Sequence, residues 1–248
     1  MSKKTKTSTS ARIATIDILR GVAILMMFVF HFSYDLTFFG YLDINFLEDP
    51  FWANFRRLIV SSFLLLVGVS LFLASRHGIK PRRFLRRLIL LIAYALLVSL
   101  GSYLMFPESY IYFGILHFIA VASVLGLLFT RFYWVNLALG TALVLLDIFY
   151  SHSFFNHPSI NWLGLMTHLP YTEDYVPLIP WFGVVLIGLF LGRLLFSEPE
   201  TPGWLSWKAS NRATKTLALA GRHSLHIYIL HQPIFIGLIA VISGKGFS

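Results

Sequence analysis

"GVAILMMFVFHFSYDL", residues 21–36, opens as an unbroken apolar run and closes with His31 and Asp35. Crossing the roughly 30 Å hydrocarbon core of a bilayer takes about 20 consecutive apolar residues in a helix. With the residues before it, this stretch gives one such run near 13–34. Six more follow, near 52–75, 85–105, 111–130, 133–150, 176–196 and 224–243. Together they cover most of the 248 residues, of which 57% are hydrophobic and only 12% charged, with a mean hydropathy of +0.73. A soluble domain carries about 25% charged residues. A transmembrane β-barrel would alternate polar and apolar residues in segments of about ten, whereas these runs are long and continuously apolar. The sequence therefore predicts an all-α, polytopic membrane bundle of about seven transmembrane helices.

The chain has no cysteine, which excludes disulfides, thiolate nucleophiles and thiolate metal sites. The basic start resembles a signal peptide. Asp17 and Arg20 precede the apolar run, however, and no small-residue cleavage pattern follows it, so it reads as a retained first helix. Loop charge sets the orientation, because cytoplasmic loops carry the excess of Lys and Arg. With the N-terminus cytoplasmic and the C-terminus extracytoplasmic, sixteen of the 20 Lys and Arg fall inside, while Asp43, Glu48, Asp49, Glu108, Glu173 and Asp174 fall outside. A basic inner face against an anionic leaflet accounts for the net charge of +9 without nucleic acid. The densest basic cluster, "SRHGIKPRRFLRR" at 75–87, lies between the second and third runs. The expected organisation is a cytoplasmic basic tail, 1–12, and one transmembrane domain, 13–248, embedded in lipid. Whether it forms a homo-oligomer is left open.

Ionisable groups inside a membrane are costly and normally face the bundle interior or a wet cavity. The first run carries four. On a helical wheel with Arg20 at zero, Asp17 lies at about 60°, His31 at about 20° and Asp35 at about 60°, a single narrow stripe. Asp17 and Arg20 fit either an interfacial anchor pair or part of a site. His31 and Asp35, at i,i+4, fit either a structural polar pair or a general base oriented by a carboxylate. Other polar groups approach from other runs: His117 in the fourth, Asp174 and Trp181 at the mouth of the sixth, and Arg222, His231 and Gln232 around the seventh. Pro177, Pro180 and Pro233 would loosen the backbone ladder at the same levels.

Zinc chemistry would ask for two histidines at i,i+4 on the last helix. Here His223, His226 and His231 are spaced by three and five, so no metal is expected. A proton-coupled transporter of a small solute would use the same His and Asp groups as a relay, and stands as the alternative to an enzyme.

The segments "RIATIDILRGVAILMMFVFHFSYDL", "IYFGILHFIAVASVLGLLF", "DYVPLIPWFGVVLIGLFLG" and "AGRHSLHIYILHQPI" resemble the bacterial branch of the heparan-α-glucosaminide N-acetyltransferase catalytic-domain family. The spacing of Arg20 and His31 is also similar to that in bacterial membrane acyltransferases that O-acetylate cell-surface sugars. Lysosomal enzymes of the family have Asn at the position of His31, a catalytic His where this sequence has Leu42, and more helices. The resemblance implies an acyltransferase of the bacterial inner membrane. It would move an acetyl group from cytoplasmic acetyl-CoA to a hydroxyl or amine of an extracytoplasmic saccharide. His31 would be the catalytic base with Asp35 orienting it. Arg20, Arg82, Arg83, Arg86, Arg87 and Arg222 would hold the anionic nucleotide end of the donor, and His117, Asp174, Trp181, His231 and Gln232 would line the acceptor site.

Overall fold

The computed structural model describes residues 13–46, 48–197, 203–205 and 209–244, apart from the side chain of Trp204. The expected basic tail 1–12, with Lys208 and Lys245, lies outside them. The described residues are all-α. Eight α-helices run in the order α1 (Ala14–Phe38), α2 (Pro50–Ser75), α3 (Pro81–Met105), α4 (Ile115–Phe129), α5 (Trp134–Phe149), α6 (Leu178–Phe196), α7 (Arg212–Arg222) and α8 (Ser224–Ser243).

Local chemistry fixes several of these ends. The Asp49 carboxylate accepts from the Phe51 and Trp52 amides (2.8 and 3.4 Å) ahead of Pro50, so α2 opens on an N-cap followed by proline. Pro81 starts α3 in the same way. The Asn211 side chain caps α7 by accepting from the Thr214 amide (2.8 Å). Gly244, at φ +62°, ends α8 in the left-handed region that glycine tolerates.

All seven expected segments are helical, but five of them, α1, α2, α3, α6 and α8, are long and apolar enough to cross a bilayer on their own. The apolar helices α4 and α5 have 15 and 16 residues. The fourth starts at 115 rather than 111 because Gly114 is extended and Asp174 takes the first amide of the helix. Apolar run length does not announce α7, a short amphipathic helix in the polar connection before α8.

Lipid supplies no hydrophobic drive between helices, so packing rests on close backbone approach at small residues. A Cβ on Gly68 would strike the Val185 carbonyl, and one on Gly188 the Leu65 carbonyl, which locks α2 to α6. Gly140 and Gly183 do the same for α5 and α6. The main core, including Leu64, Phe118, Leu186 and Leu189, fills the space among α2, α4 and α6. At Gly21 and Gly221 the backbones of α1 and α7 touch. On the periphery, α3 buries only Leu91 and Ala95, and α8 only His231 and Ile239. An apolar helix that buries a histidine while turning its leucines outward is arranged for a polar interior.

Candidate active site

The basic cluster after α2 and the acidic residues after α1 and α5 mark two opposite ends of the bundle, here termed the basic end and the far end.

The α1 stripe is present as a stripe, and its four members meet different neighbours. Asp17 is 1% exposed. It stands between two guanidinium groups, accepting from Arg20 Nη1 and from Arg222 Nε, both at 3.3 Å. Arg20 also donates to the Ser70 hydroxyl, which itself donates to the Leu66 carbonyl. Thr15 donates to the Leu205 carbonyl. A buried carboxylate needs such partners, and these stitch α1 to α7 and α2 at the basic end. Arg20 and Arg222 are thus engaged with Asp17.

Higher up, α1 faces α8. The His31 and His231 rings lie edge to face with centroids 4.9 Å apart, and His31 also meets Phe30 at 5.5 Å. His231 Nδ1 is 2.6 Å from the Tyr228 carbonyl. A carbonyl can only accept, so Nδ1 carries the proton and Nε2 of the neutral ring keeps its lone pair. Asp35, 3% exposed, takes a hydrogen bond on Oδ1 from Gln232 Nε2 at 2.7 Å. The expected pairing of Asp35 with His31 is therefore replaced by a pairing with Gln232 of α8. A carboxylate acceptor fixes the amide with its nitrogen inward, leaving Oε1 on the other side. Three buried atoms of this cluster, Asp35 Oδ2, Gln232 Oε1 and His231 Nε2, have no partner among the described residues. With Asp35 ionised, all three are acceptors. Buried polar atoms are normally satisfied by protein, water or a ligand, so the cluster has room in its hydrogen bonding for a molecule that brings donors.

The far end closes over this cluster. The Tyr34 and Ser109 hydroxyls donate to the two oxygens of Glu173 (3.0 and 2.9 Å), the Glu173 amide donates to the Ser109 carbonyl (3.1 Å), and Val176 N–H donates to the Phe113 carbonyl (3.3 Å). The next residue, Asp174, accepts on Oδ2 from the Ile115 amide (3.0 Å) and the Tyr228 hydroxyl (3.1 Å), a carboxylate at the positive end of α4. His117 accepts on Nδ1 from the Gly114 amide (3.3 Å), so Nε2 bears the proton toward Ser99 Oγ at 3.1 Å. Nδ1 thus holds the start of α4, and Nε2 ties that helix to α3. Trp181 packs against the main core. Tyr175 donates to the Asn161 carbonyl (2.5 Å), and burial, with Tyr112 and Asp147 nearby, raises its pKa, keeping the phenol a donor.

At the basic end a cleft of about 350 Å³ opens where α2, α3 and α4 meet, lined by His77, Lys80, Arg83, Arg87, Leu91 and Ser123 among others. That volume is within the range of ligand sites. Of the four arginines expected there, Arg83 and Arg87, one turn apart, line it, and Arg82 and Arg86 do not. From Leu91 a seam of Ala95, Leu116 and Ala120, flanked by Leu225 and Tyr228, continues toward the His231 turn. Among the described residues no group of three or more His, Asp or Glu converges as metal ligands would.

Sequence reasoning had no signal for Tyr228, Ser99 or Arg56. Arg56 lies on the α2 face that Trp52 and Ile59 turn toward Phe30 and Met27 of α1.

These features define a class: an integral membrane protein with a histidine and carboxylate cluster inside the bundle and a cationic cleft at one end. The chain belongs to the family described as heparan-alpha-glucosaminide N-acetyltransferase, catalytic, whose profile matches residues 12–233. It is thus a transmembrane protein of an acetyltransferase family. Neither a comparison with curated proteins nor one with solved structures returned a match.

Proposed function

We propose that the protein transfers an acetyl group from acetyl-CoA, bound at the basic end on the cytoplasmic side, to a hydroxyl or amine of a saccharide presented from the far end. The observation that carries this reading is the trio of buried acceptors, Asp35 Oδ2, Gln232 Oε1 and His231 Nε2, beside His31. A sugar offers the donors they lack.

The cationic cleft suits the phosphates of the donor. Arg83 and Arg87 supply planar forks for charge-assisted contacts, and Lys80 a point charge. Acetyl-CoA would contribute the thioester. From Leu91 in the cleft its arm would follow the packed cluster of Ala95, Leu116 and Ala120 toward Tyr228, parting those side chains on the way to the His31–His231 pair.

At the pair, His231 Nε2 accepts the proton of the attacking N–H or O–H, with His31 edge-on beside it, and the Asp35–Gln232 pair holds a second donor of the sugar. The acceptor atom forms its bond to the acetyl carbon as the carbon–sulfur bond breaks. The proton held by the imidazole goes to the departing thiolate, giving the acetylated sugar and CoA. Nothing else is consumed.

The test is acetyl transfer from radiolabelled acetyl-CoA to a panel of amino sugars and neutral sugars by purified protein. His31→Ala and His231→Ala should each lower kcat by about 10²–10⁴-fold, the usual contribution of a positioned base. Arg83→Ala with Arg87→Ala should raise KM for acetyl-CoA and leave kcat nearly unchanged. Absence of CoA release with every acceptor, together with proton-coupled solute uptake in proteoliposomes, would favour the transporter reading instead.

A further inference from the structure

Three helices end side by side at the basic end. The ends of α2, α4 and α6 border a second cleft, of about 420 Å³. Three arginines line it: Arg76 at the end of α2, Arg131 in the turn after α4 and Arg193 in the last turn of α6. The charged residues of the donor cleft, Lys80, Arg83 and Arg87, do not. Ser75, Gly78 and Ile79 border both clefts, so the α2–α3 turn is the wall between them.

Helix C-termini leave carbonyls without partners, and two of the arginines serve them. Arg76 Nη1 donates to the Phe196 carbonyl and Arg193 Nη1 to the Arg131 carbonyl, both at 3.0 Å. Capping accounts for two of the guanidinium groups and not for the third, since Arg131 makes no side-chain hydrogen bond among the described residues. Each capping bond also engages one nitrogen of a fork that carries five N–H donors. The ion pairs found among the described residues join Arg20 and Arg222 to Asp17, and none reaches these three arginines. Like charges gathered in one cleft repel unless an anion stands among them.

The surroundings indicate which anion. Helices α2 and α6 are long and apolar enough to cross a bilayer, so their ends mark the border of the hydrocarbon. The Arg193 guanidinium lies over the Tyr133 ring, 5.1 Å from its centroid. Tyr133 and Trp134 pack on Phe190 at 4.7 and 5.5 Å, and Trp134 remains 67% exposed. Tyr and Trp at the end of a span mark the headgroup level of a membrane. Phe72 and Ile79 give the cleft an apolar side. Lipid phosphates stand at this depth, and a guanidinium fork matches their oxygens.

We propose that this cleft binds the phosphate of an anionic phospholipid, held by Arg76, Arg131 and Arg193, with the acyl chains beside Trp134. The site is independent of the acetyl-transfer reading and stands or falls without it.

The experiment mixes protein in dodecyl maltoside with equal amounts of phosphatidylglycerol and phosphatidylcholine and counts the bound lipids by native mass spectrometry. Both lipids carry a phosphate, but only phosphatidylcholine carries a compensating cation. The expected preference for phosphatidylglycerol is about fivefold or more, the effect of a single cation beside an anionic headgroup. It should vanish when Arg76→Gln, Arg131→Gln and Arg193→Gln are combined, a variant whose glutamines can still cap the two carbonyls. It should persist in Arg82→Gln with Arg86→Gln, which removes charge from the same end but from neither cleft. Should the triple variant not survive purification, Arg131→Gln decides, because that side chain caps nothing, and there too the preference should fall. Neither inorganic phosphate nor acetyl-CoA should displace the lipid. Equal binding of the two lipids by the unaltered protein overturns the proposal, as does a preference undiminished in the triple variant or in Arg131→Gln. A preference that falls as far in the Arg82, Arg86 control overturns it as well, being only the general attraction of a basic face. Displacement by inorganic phosphate or by acetyl-CoA does the same, since the cleft would then take a soluble anion or extend the donor cleft.

Discussion

At the scale of single residues, the site is governed by which helix reaches a buried group first. Asp35 could have met His31 on the next turn of α1, and instead meets Gln232 of α8. An i,i+4 pair on one helix must share the space beside its own backbone, whereas an opposing helix brings its side chain head-on. Gln232→Leu keeps the volume and removes the donor, leaving Asp35 Oδ1 buried without it. That change should cost about 1–3 kcal/mol, the cost of stranding a buried acceptor, read as a lower melting temperature of the purified protein together with a fall in kcat. The stripe of Asp17, Arg20, His31 and Asp35 was legible in the sequence because helical periodicity places residues on a face. Their partners were not. Periodicity is a property of one helix, while Asp17 finds Arg222 across 205 residues of sequence and Asp35 finds Gln232 across 197. The sequence assigned His231 to acceptor binding, and only the hydrogen bond to Tyr228 reveals its tautomer and hence its lone pair.

At the scale of elements, apolar run length located all seven expected helices, since a bilayer demands length and hydrophobicity and little else. It failed at α7, which is neither long nor apolar. The residues that make α7 matter are small: Gly221 lies so close to α1 that an added Cβ would strike the Asp17 carbonyl. Backbone cannot move aside as a flexible side chain can. Gly221→Ala should destabilise the protein by about 1–3 kcal/mol, the usual penalty of overpacking, and should separate Arg222 from Asp17. Gly237→Ala serves as the control, because a Cβ there meets nothing within 4 Å. Thermal melting of the two variants side by side measures the difference. The shortened α4 is the other departure from run length. Hydropathy continues through 111–114, but Gly114 and the Asp174 carboxylate stop the helix there, a contact made by a segment about sixty residues further on.

At the scale of the whole molecule, charge is unevenly divided. The cleft with Lys80, Arg83 and Arg87 lies at one end, and Glu173 and Asp174 at the other. From this excess of Lys and Arg we propose that the basic end faces the cytoplasm. The native chain has no cysteine, so single cysteines report without interference. Ile79 and Tyr171 are exposed at opposite ends. In intact cells a membrane-impermeant maleimide should label Tyr171→Cys and spare Ile79→Cys until the membrane is broken. The opposite pattern would invert the topology and put the donor cleft outside.

The stitching of α1 to α7 and α8 also bears on biogenesis. Helix α1 is met at Asp17, His31 and Asp35 by segments that follow it by about 200 residues in the chain. Until α7 and α8 are made, that helix must wait in the bilayer with its ionisable face uncovered, so a nascent chain halted after α6 should depend on insertion machinery or a membrane chaperone to escape degradation.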